Sequence, residues 1–212
     1  MTRSVDAGSW IVFACRTSFT AEIVEIVERR GESIARFVDN LADEPIPPLD
    51  GPVIVPLTTP GYRYTAAIEA RERGATSFPP LVDPTSVVAR SASIGDGSVV
   101  NAGAIVAANA RIGAFVHVNR SASVGHDAEL GDYVTLGPGC VLAGGVTAAT
   151  GAFVGVGAVC APNVTIGANA VVGAGAVVVR DVPADTTVIG NPARVLRSDA
   201  GGYAGARVPC DP

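Results

Sequence analysis

One histidine of this chain is placed to act as a base. His126 stands in the segment Val-Gly-His-Asp-Ala-Glu-Leu-Gly, and Asp127 follows it directly. A neutral imidazole whose pKa lies near the working pH can accept the proton that an attacking amine or hydroxyl must lose. His126 is therefore the candidate general base, and Asp127 is the candidate carboxylate that orients it or raises its basicity. The alternative for Asp127 is a solvated carboxylate without a catalytic role.

These two residues lie within a long six-residue repeat. From Val82 to Val178 every sixth residue is a lead position, and fifteen of the seventeen leads are Val, Ile or Leu. The residue two places before each lead is small or Val, and on a strand it shares a face with that lead. The Gly, Asn, Asp and Pro residues between them are typical of corners. The period therefore predicts short strands that stack in parallel into a β-solenoid.

The hexapeptide pattern resembles the left-handed parallel β-helix of acyltransferases. This resemblance implies three hexapeptides, or 18 residues, in each coil and a little over five coils from Val82 to residue 177. It also implies left-handed crossovers, which are an exception to the usual right-handed rule. The segment from Asp181 to Leu196 is similar to the one that closes the helix in these transferases.

On this coil size His126 has small neighbours above and below it. His126 lies two residues after a lead, so it belongs to a corner and points out of the core. Ala108 lies one coil earlier and Gly144 one coil later. The open groove that they leave favours a functional histidine over a packed one. The family's base is a histidine in this setting, followed by an acidic residue. A backbone N–H near Gly144 is the candidate donor to the oxyanion of the reaction.

A small α/β unit is predicted before the repeat. Residues 1–8 are expected to be a loose tail, and a polar, proline-rich loop is expected to end at Pro52. Apolar runs and amphipathic patterns predict strands at 10–14, 34–38 and 53–57 and helices at 21–30 and 62–73. The order β-α-β-β-α is half of a doubly wound, Rossmann-like nucleotide-binding unit. We therefore predict an α/β domain over 1–78, then an all-β left-handed parallel β-helix over 79–212 with a C-terminal closing segment.

Ligands of such sheets bind beyond the carboxyl ends of the strands. The amides of Thr17 and Ser18 could meet phosphates at the helix start, with Arg16 beside them. The fingerprint G-x-G-x-x-G is missing, because positions 14–19 read Ala-Cys-Arg-Thr-Ser-Phe. The alternative is a small cap with no ligand. The candidate substrate residues at the strand ends are Arg16, Thr17, Ser18, Asp39, Asn40 and Thr58.

The two-part plan resembles acetyltransferases of the sialic acid O-acetyltransferase type. These include enzymes that N-acetylate UDP-linked 4-amino-4,6-dideoxy sugars in bacterial glycan pathways. The resemblance implies a nucleotide sugar on the α/β domain, acetyl-CoA on the solenoid, and a homotrimer whose sites lie between two prisms. Asn119 is a candidate for holding the acceptor sugar. The glycine-rich first loop of the family is missing here, and no residue separates an amine from a hydroxyl acceptor.

The CoA-binding candidates follow from position in the family's fold. They are Thr135, Gly144, Val156, Gly157, Ala174 and Arg180. Arg180 and Arg194 could reach the phosphates of CoA, with ordinary surface arginines as the alternative. The family often has a second histidine, near the acetyl group, in place of Thr135. In this chain the contact with the acetyl group must therefore come from the Thr135 hydroxyl or be absent. We assign His117 to a different corner, as a neighbour of the site or as a surface residue.

Composition excludes several other classes of function. The net charge of −5 argues against a nucleic-acid partner, and the absence of lysine excludes Schiff-base chemistry and a Walker-type lysine. A zinc carbonic anhydrase on this solenoid would need three histidine ligands, and the chain has two. A non-catalytic scaffold remains the third reading. No apolar run is long enough to span a membrane, so a cytoplasmic protein is expected.

The four cysteines have no C-x-x-C spacing, which predicts free thiols and no metal cluster. Cys140 and Cys160 fall at inward positions of the repeat and are predicted to be small core residues. Cys15 and Cys210 have no assigned role.

Overall fold

The computed structural model describes residues 9–40 and 48–210. The predicted N-terminal tail and most of the proline-rich loop lie outside this range. The described chain consists of a small α/β unit, a parallel β-helix and a closing segment that returns to the α/β unit.

The α/β unit has the predicted order of elements. Its elements are β1 Ser9–Phe13, α1 Thr20–Arg29, β2 Ser33–Val38, β3 Val53–Ile54 and α2 Pro60–Glu72. The three strands are parallel in the order β2-β1-β3. Strand β3 is shorter than predicted, and Pro56 lacks the N–H that would continue its ladder. Helix α2 begins earlier than predicted because Pro60 has a backbone dihedral suited to the first helical position.

The repeat forms a three-sided prism of two-residue strands. Its strands are β4 Leu81–Val82, β5 Val87–Val88, β6 Ser93–Ile94, β7 Val99–Val100, β8 Ile105–Val106, β9 Arg111–Ile112, β10 His117–Val118, β11 Ser123–Val124, β12 Glu129–Leu130, β13 Thr135–Leu136, β14 Val141–Leu142, β15 Thr147–Ala148, β16 Phe153–Val154, β17 Val159–Cys160, β18 Thr165–Ile166, β19 Val171–Val172 and β20 Val177–Val178. Paired residues are 18 apart, as in His117 with Thr135. The predicted coil size is confirmed.

Each side of the prism is one parallel sheet. The first face contains β4 and every third strand after it, and it is extended by β21 Thr187–Ile189 and β22 Arg194–Arg197. The second face contains every third strand from β5 to β20, and the third face contains every third strand from β6 to β18. The hairpin of β21 and antiparallel β22 ends the prism, within the segment predicted to close it.

The lead residues and their small neighbours fill the interior, as the repeat predicts. Cys140 and Cys160 are among them, and burial raises the pKa of each thiol to about 12. The glycine after many leads has a steric reason. A Cβ built on Gly137 would lie 2.7 Å from the backbone nitrogen of Val156 on the next coil. The next coil therefore leaves no room for a side chain at Gly137.

The α/β unit covers the first face. Phe115 and Tyr133 stack with ring centroids 5.3 Å apart, and they pack in one apolar cluster with the sheet and helix α2. The C-terminal segment joins this cluster through the buried Val208. Asn169 of the prism holds the segment by donating to the Val208 carbonyl and accepting from its amide. The outward residues of β4, β7, β10 and β13 are therefore buried, and those of β16 and β19 are half-buried.

Candidate active site

The corner between the second and third faces presents His126 to solvent. His126 lies between β11 and β12, and 70% of its side chain is exposed. A Cβ built on Gly144, one coil later, would lie 2.4 Å from Nε2 and 2.5 Å from Cε1 of the imidazole. The ring therefore occupies the space that a side chain at 144 would need. The predicted proximity of His126 and Gly144 is present in the structure.

Asp127 forms a hydrogen bond with the imidazole. Its φ of 56° lies in the left-handed region, which turns the corner so that neighbouring side chains can meet. The distance from His126 Nδ1 to Asp127 Oδ2 is 2.7 Å. The hydrogen bond with His126, followed by one from Asn109, lowers the pKa of Asp127. An ionised Asp127 accepts from Nδ1–H, and in the neutral imidazole this leaves the lone pair on Nε2, the ring atom nearest the Cβ position of Gly144.

The CoA candidates lie along two edges of the second face. Gly144 and Arg180 share the edge of His126, with Arg180 three coils after it. Val156, Gly157 and Ala174 stand on the opposite edge, where the first and second faces meet, and all three are solvent-accessible.

Two arginines lie together near the closed end of the prism. Arg180 and Arg194 line one groove of about 170 Å³, and both side chains are exposed. Their assignment to CoA stays a prediction.

Thr135 lies apart from the edge of His126. It is buried on β13 of the first face, where its hydroxyl donates to the Thr58 carbonyl at 2.8 Å and accepts from Arg63 at 2.9 Å. It fastens the segment after β3 to the prism. Its role at the acetyl group stays a prediction, and the structure brings it together with Thr58 and not with His126.

The prediction that His117 lies at a corner is wrong. It lies on strand β10, 1% exposed, with its ring centroid 5.1 Å from that of Phe19. Burial lowers the pKa of His117 well below its usual value, and the nearby Arg63 lowers it further, while the backbone of Val55 opposes the shift. His117 points outward from the prism as the repeat requires. It is buried because the α/β unit covers that face.

A cavity of about 490 Å³ opens at the carboxyl ends of the three α/β strands. It brings together Arg16, Thr17 and Asn40 from the sequence prediction. Arg16 forms an ion pair with Asp39 beside it. The cavity therefore lies where the strand order predicted a ligand.

Two of the predicted substrate residues already use a backbone group in a hydrogen bond within the chain, and one of them, Thr58, does not line the cavity. The amide of Thr17 donates to the Cys15 carbonyl at 2.8 Å, and the Thr58 carbonyl accepts from Thr135. Ser18 is exposed on the loop before α1. Any phosphate contact of Thr17 would have to use a group other than its amide.

Helix α2 supplies cavity residues that the sequence analysis missed. They are Tyr62, Thr65, Ala66 and Glu69. Glu69 accepts a hydrogen bond of 2.7 Å from Asn40. These positions fall on one face of a helix that follows the third strand, and this spacing is a signal that could have identified them.

The cavity and His126 do not meet within one described chain. All residues that line the cavity belong to the α/β unit. Asn119, the other acceptor candidate, is 7% exposed near the edge between the first and second faces, and its side chain accepts from the Arg120 amide at 2.9 Å. Its role stays a prediction.

Within residues 9–40 and 48–210, no group of three His, Cys, Asp or Glu residues could hold a metal ion. Over the same residues, no helix has the length and apolar character needed to cross a membrane. The expected cytoplasmic location stays a prediction.

Comparisons with known proteins agree with this architecture. A family model described as bacterial transferase hexapeptide (six repeats) matches residues 109–144. Perosamine N-acetyltransferase from Caulobacter crescentus, solved as a histidine-to-asparagine variant with CoA and GDP-perosamine, is 33% identical; the match covers 92% of this chain and 100% of that chain, with a TM-score of 0.82. The comparison with curated proteins gave no significant match.

Two further structures match over most of the chain. The acetyltransferase domain of PglB from Neisseria gonorrhoeae, in complex with acetyl coenzyme A, is 29% identical over 89% of this chain and 99% of that chain, with a TM-score of 0.81. WeeI from Acinetobacter baumannii is 28% identical over 89% of this chain and 99% of that chain, with a TM-score of 0.79. The chain therefore belongs to the hexapeptide-repeat acetyltransferases, the family whose fold is the left-handed parallel β-helix.

Proposed function

We propose that this protein transfers the acetyl group of acetyl-CoA to the amino group of a nucleotide-linked amino sugar in bacterial glycan biosynthesis. The observation that carries the proposal is the exposed imidazole of His126, held by Asp127 and lying against Gly144. The relatives support the substrates, since one was solved with CoA and GDP-perosamine and another with acetyl coenzyme A.

The arrangement suits a general-base mechanism. Acetyl-CoA supplies the thioester. His126 Nε2 takes a proton from the acceptor nitrogen as the new C–N bond forms, and the proton leaves with the sulfur when the C–S bond breaks. The products are the amide and the CoA thiol. A positioned base of this kind contributes roughly a hundred- to ten-thousand-fold to the rate.

The oxyanion of the reaction needs a hydrogen-bond donor at the same corner. The amides of Ala143 and Gly145 already donate to the carbonyls of Cys160 and His126, at 3.0 Å and 2.9 Å. The amide of Gly144 is therefore the candidate donor. Because Gly144 has no side chain, there is room for the imidazole and the acceptor oxygen can reach this amide.

We infer that the α/β unit is a Rossmann-like nucleotide-sugar domain spanning 1–78, with the solenoid domain over 79–212. Support comes from the cavity at the carboxyl ends of its parallel strands, where Arg16 could face a phosphate and Asn40 a hydroxyl group. The substrate panel below tests which nucleotide the domain accepts.

We further propose a homotrimer in which each site is completed by a neighbouring prism. The second face carries exposed apolar residues at four of its six outward positions, and they are Val87, Ile105, Val141 and Val159, with the half-buried Ser123 between Ile105 and Val141. Both edges of this face carry site candidates. A partner prism against it would bury the apolar column and could bring its own α/β cavity toward His126, which one chain alone leaves apart from the cavity.

A substrate panel tests the proposed function. Release of the CoA thiol would be measured with UDP- and GDP-linked 4-amino sugars, and free sialic acid would serve as the hydroxyl acceptor. We expect turnover with a nucleotide amino sugar, and a loss of about a hundredfold or more in His126→Ala at unchanged melting temperature. Absence of thiol release with every acceptor, or full activity of His126→Ala, would refute the proposal.

A further inference from the structure

The carboxylate that holds the candidate base is itself held by an amide from the coil below. Asn109 lies 18 residues before Asp127 at the same corner. Its Nδ2 donates to Asp127 Oδ1 at 3.0 Å, while Oδ2 lies 2.7 Å from His126 Nδ1. Both carboxylate oxygens are therefore engaged, one by the imidazole and the other by the amide.

The backbone explains why these side chains stack. Asn109 and Asp127 have φ values of 60° and 56°, so corresponding positions on neighbouring coils project their side chains in similar directions. The coils are about 4.8 Å apart, which brings an amide and a carboxylate within hydrogen-bond reach. The backbone N–H of Asn109 in turn donates to the Ser91 hydroxyl at 3.0 Å, which anchors the corner below.

A carboxylate at this corner needs such support. The side chain of Asp127 is 59% exposed and that of His126 is 70% exposed, so water competes for both. A carboxylate bonded only to the imidazole could rotate and release it. The second hydrogen bond limits that rotation and keeps Nε2 directed at the groove beside Gly144.

We propose that Asn109 is a positioning residue for acetyl transfer, acting through Asp127 on His126. This inference rests on the proposed function. The competing explanation is conformational, because asparagine is favoured at positive φ and also occupies such corners at Asn163 and Asn169. The test must therefore preserve the backbone and change only the hydrogen bond.

Two variants separate the explanations. Asn109→Gly keeps a residue suited to positive φ and removes the amide, while Asn109→Asp keeps the shape and replaces the donor with a second carboxylate. We expect kcat to fall about tenfold in Asn109→Gly with KM nearly unchanged, as part of the larger contribution of a positioned base. Ser121→Gly, at φ 54° on another edge of the prism, is the matched control and should keep the wild-type kcat.

The pH profile supplies a readout that a structural role would not move. In Asn109→Asp the added negative charge favours the protonated imidazole, so the acid limb of kcat/KM should move to higher pH. Arg111, which is paired with Glu129 and also acts on the charge of Asp127, stays the same in every variant. Asn109→Gly should not show this upward movement.

The outcomes distinguish this inference from the proposed function. If both Asn109 variants match Ser121→Gly in kcat and pH profile while His126→Ala is inactive, the positioning role is refuted and the acetyltransfer mechanism stands. If His126→Ala stays fully active, the mechanism itself fails. If Asn109→Gly does not fold, the pH profile of Asn109→Asp decides.

Discussion

At the scale of single residues, the site depends on one glycine whose missing side chain leaves room for the imidazole of His126. Gly144 does not have the positive φ that favours glycine at many other corners. The space for its Cβ is filled by the imidazole of His126. Glycine is therefore required for different reasons at different corners. Only at Gly144 is the reason the imidazole of the candidate base, which fills the space of a side chain.

Gly144→Ala is expected to displace the imidazole. It should reduce turnover and destabilise the protein by less than about 1 kcal/mol, because the imidazole is 70% exposed and can turn away from the added methyl group. Urea unfolding of the single and double variants checks the cause. In the His126→Ala background the added methyl group has room, so Gly144→Ala should cost less there. An equal cost in both backgrounds would contradict the contact.

His117→Leu is expected to preserve or raise stability at pH 7. In the described chain its ring nitrogens have no hydrogen-bond partner of normal geometry, and a buried unsatisfied polar group costs about 1–3 kcal/mol. Thermal unfolding at pH 7 measures the effect. A large loss of stability would show that the imidazole has a partner that justifies its burial.

The same substitution has a pH signature. The folded state lowers the pKa of His117, so below about pH 6.5 the unfolded chain binds a proton that the folded chain does not. Stability from this residue is therefore present above that pH and lost as the pH falls. The difference in unfolding free energy between His117→Leu and wild type should grow between pH 6.5 and 5. No change in that difference would contradict the buried neutral state.

At the scale of elements, helix α2 is fastened to the prism by a buried arginine. Arg63 is fully buried, and it donates to the carbonyls of Leu57, Phe115 and Tyr133 at 2.6–2.8 Å. None of its partners in the described chain is a carboxylate. Burial lowers its pKa to about 9, so the guanidinium stays charged at neutral pH. Arg63 therefore links helix α2, which lines the cavity, to two neighbouring coils of the prism.

Arg63→Met should destabilise the protein by about 3 kcal/mol or more, because several buried carbonyls lose their donor. Arg63→Lys is the control that keeps the charge, and it should recover only part of the loss because a single ammonium cannot reach all these acceptors. Urea unfolding compares the two. Wild-type stability in Arg63→Met would show that the network is dispensable.

At the scale of the whole molecule, the three faces of the prism have different surroundings. The α/β unit and the closing segment bury the outward residues of β4, β7, β10 and β13 on the first face and partly cover those of β16 and β19. The third face is polar, with Arg111 paired to Glu129. The second face is apolar and exposed between the edges that carry the site candidates. This asymmetry is the physical reason to expect neighbouring subunits there.

Val141→Arg, on the second face, is expected to dissociate the proposed trimer and to lower activity more than tenfold, because it places a charge in an apolar interface. Thr147→Arg, on the third face of the same coil, is the matched control and should remain trimeric and active. Light scattering and turnover measure both effects. Identical masses for the two variants would place the interface elsewhere.

The sequence by itself determined the parallel β-solenoid, the order of the α/β elements and the corner of His126. It could do so because a six-residue repeat fixes which side chains face inward, and each coil adds the same local geometry. The pairing of His126 with Gly144 needed the family resemblance as well, since it depends on a coil of 18 residues, which the six-residue period alone does not give.

Only the tertiary structure decided which outward residues are exposed. The repeat treats His117, Thr135 and Val141 alike, as outward positions, yet the α/β unit buries the first two and leaves the third exposed. Arg63 gave no signal because its acceptors are distant backbone carbonyls, which no side-chain pattern encodes. Packing between segments that are distant in the sequence decides which outward residues are buried and which carbonyls Arg63 reaches. A local six-residue period contains no information about that packing.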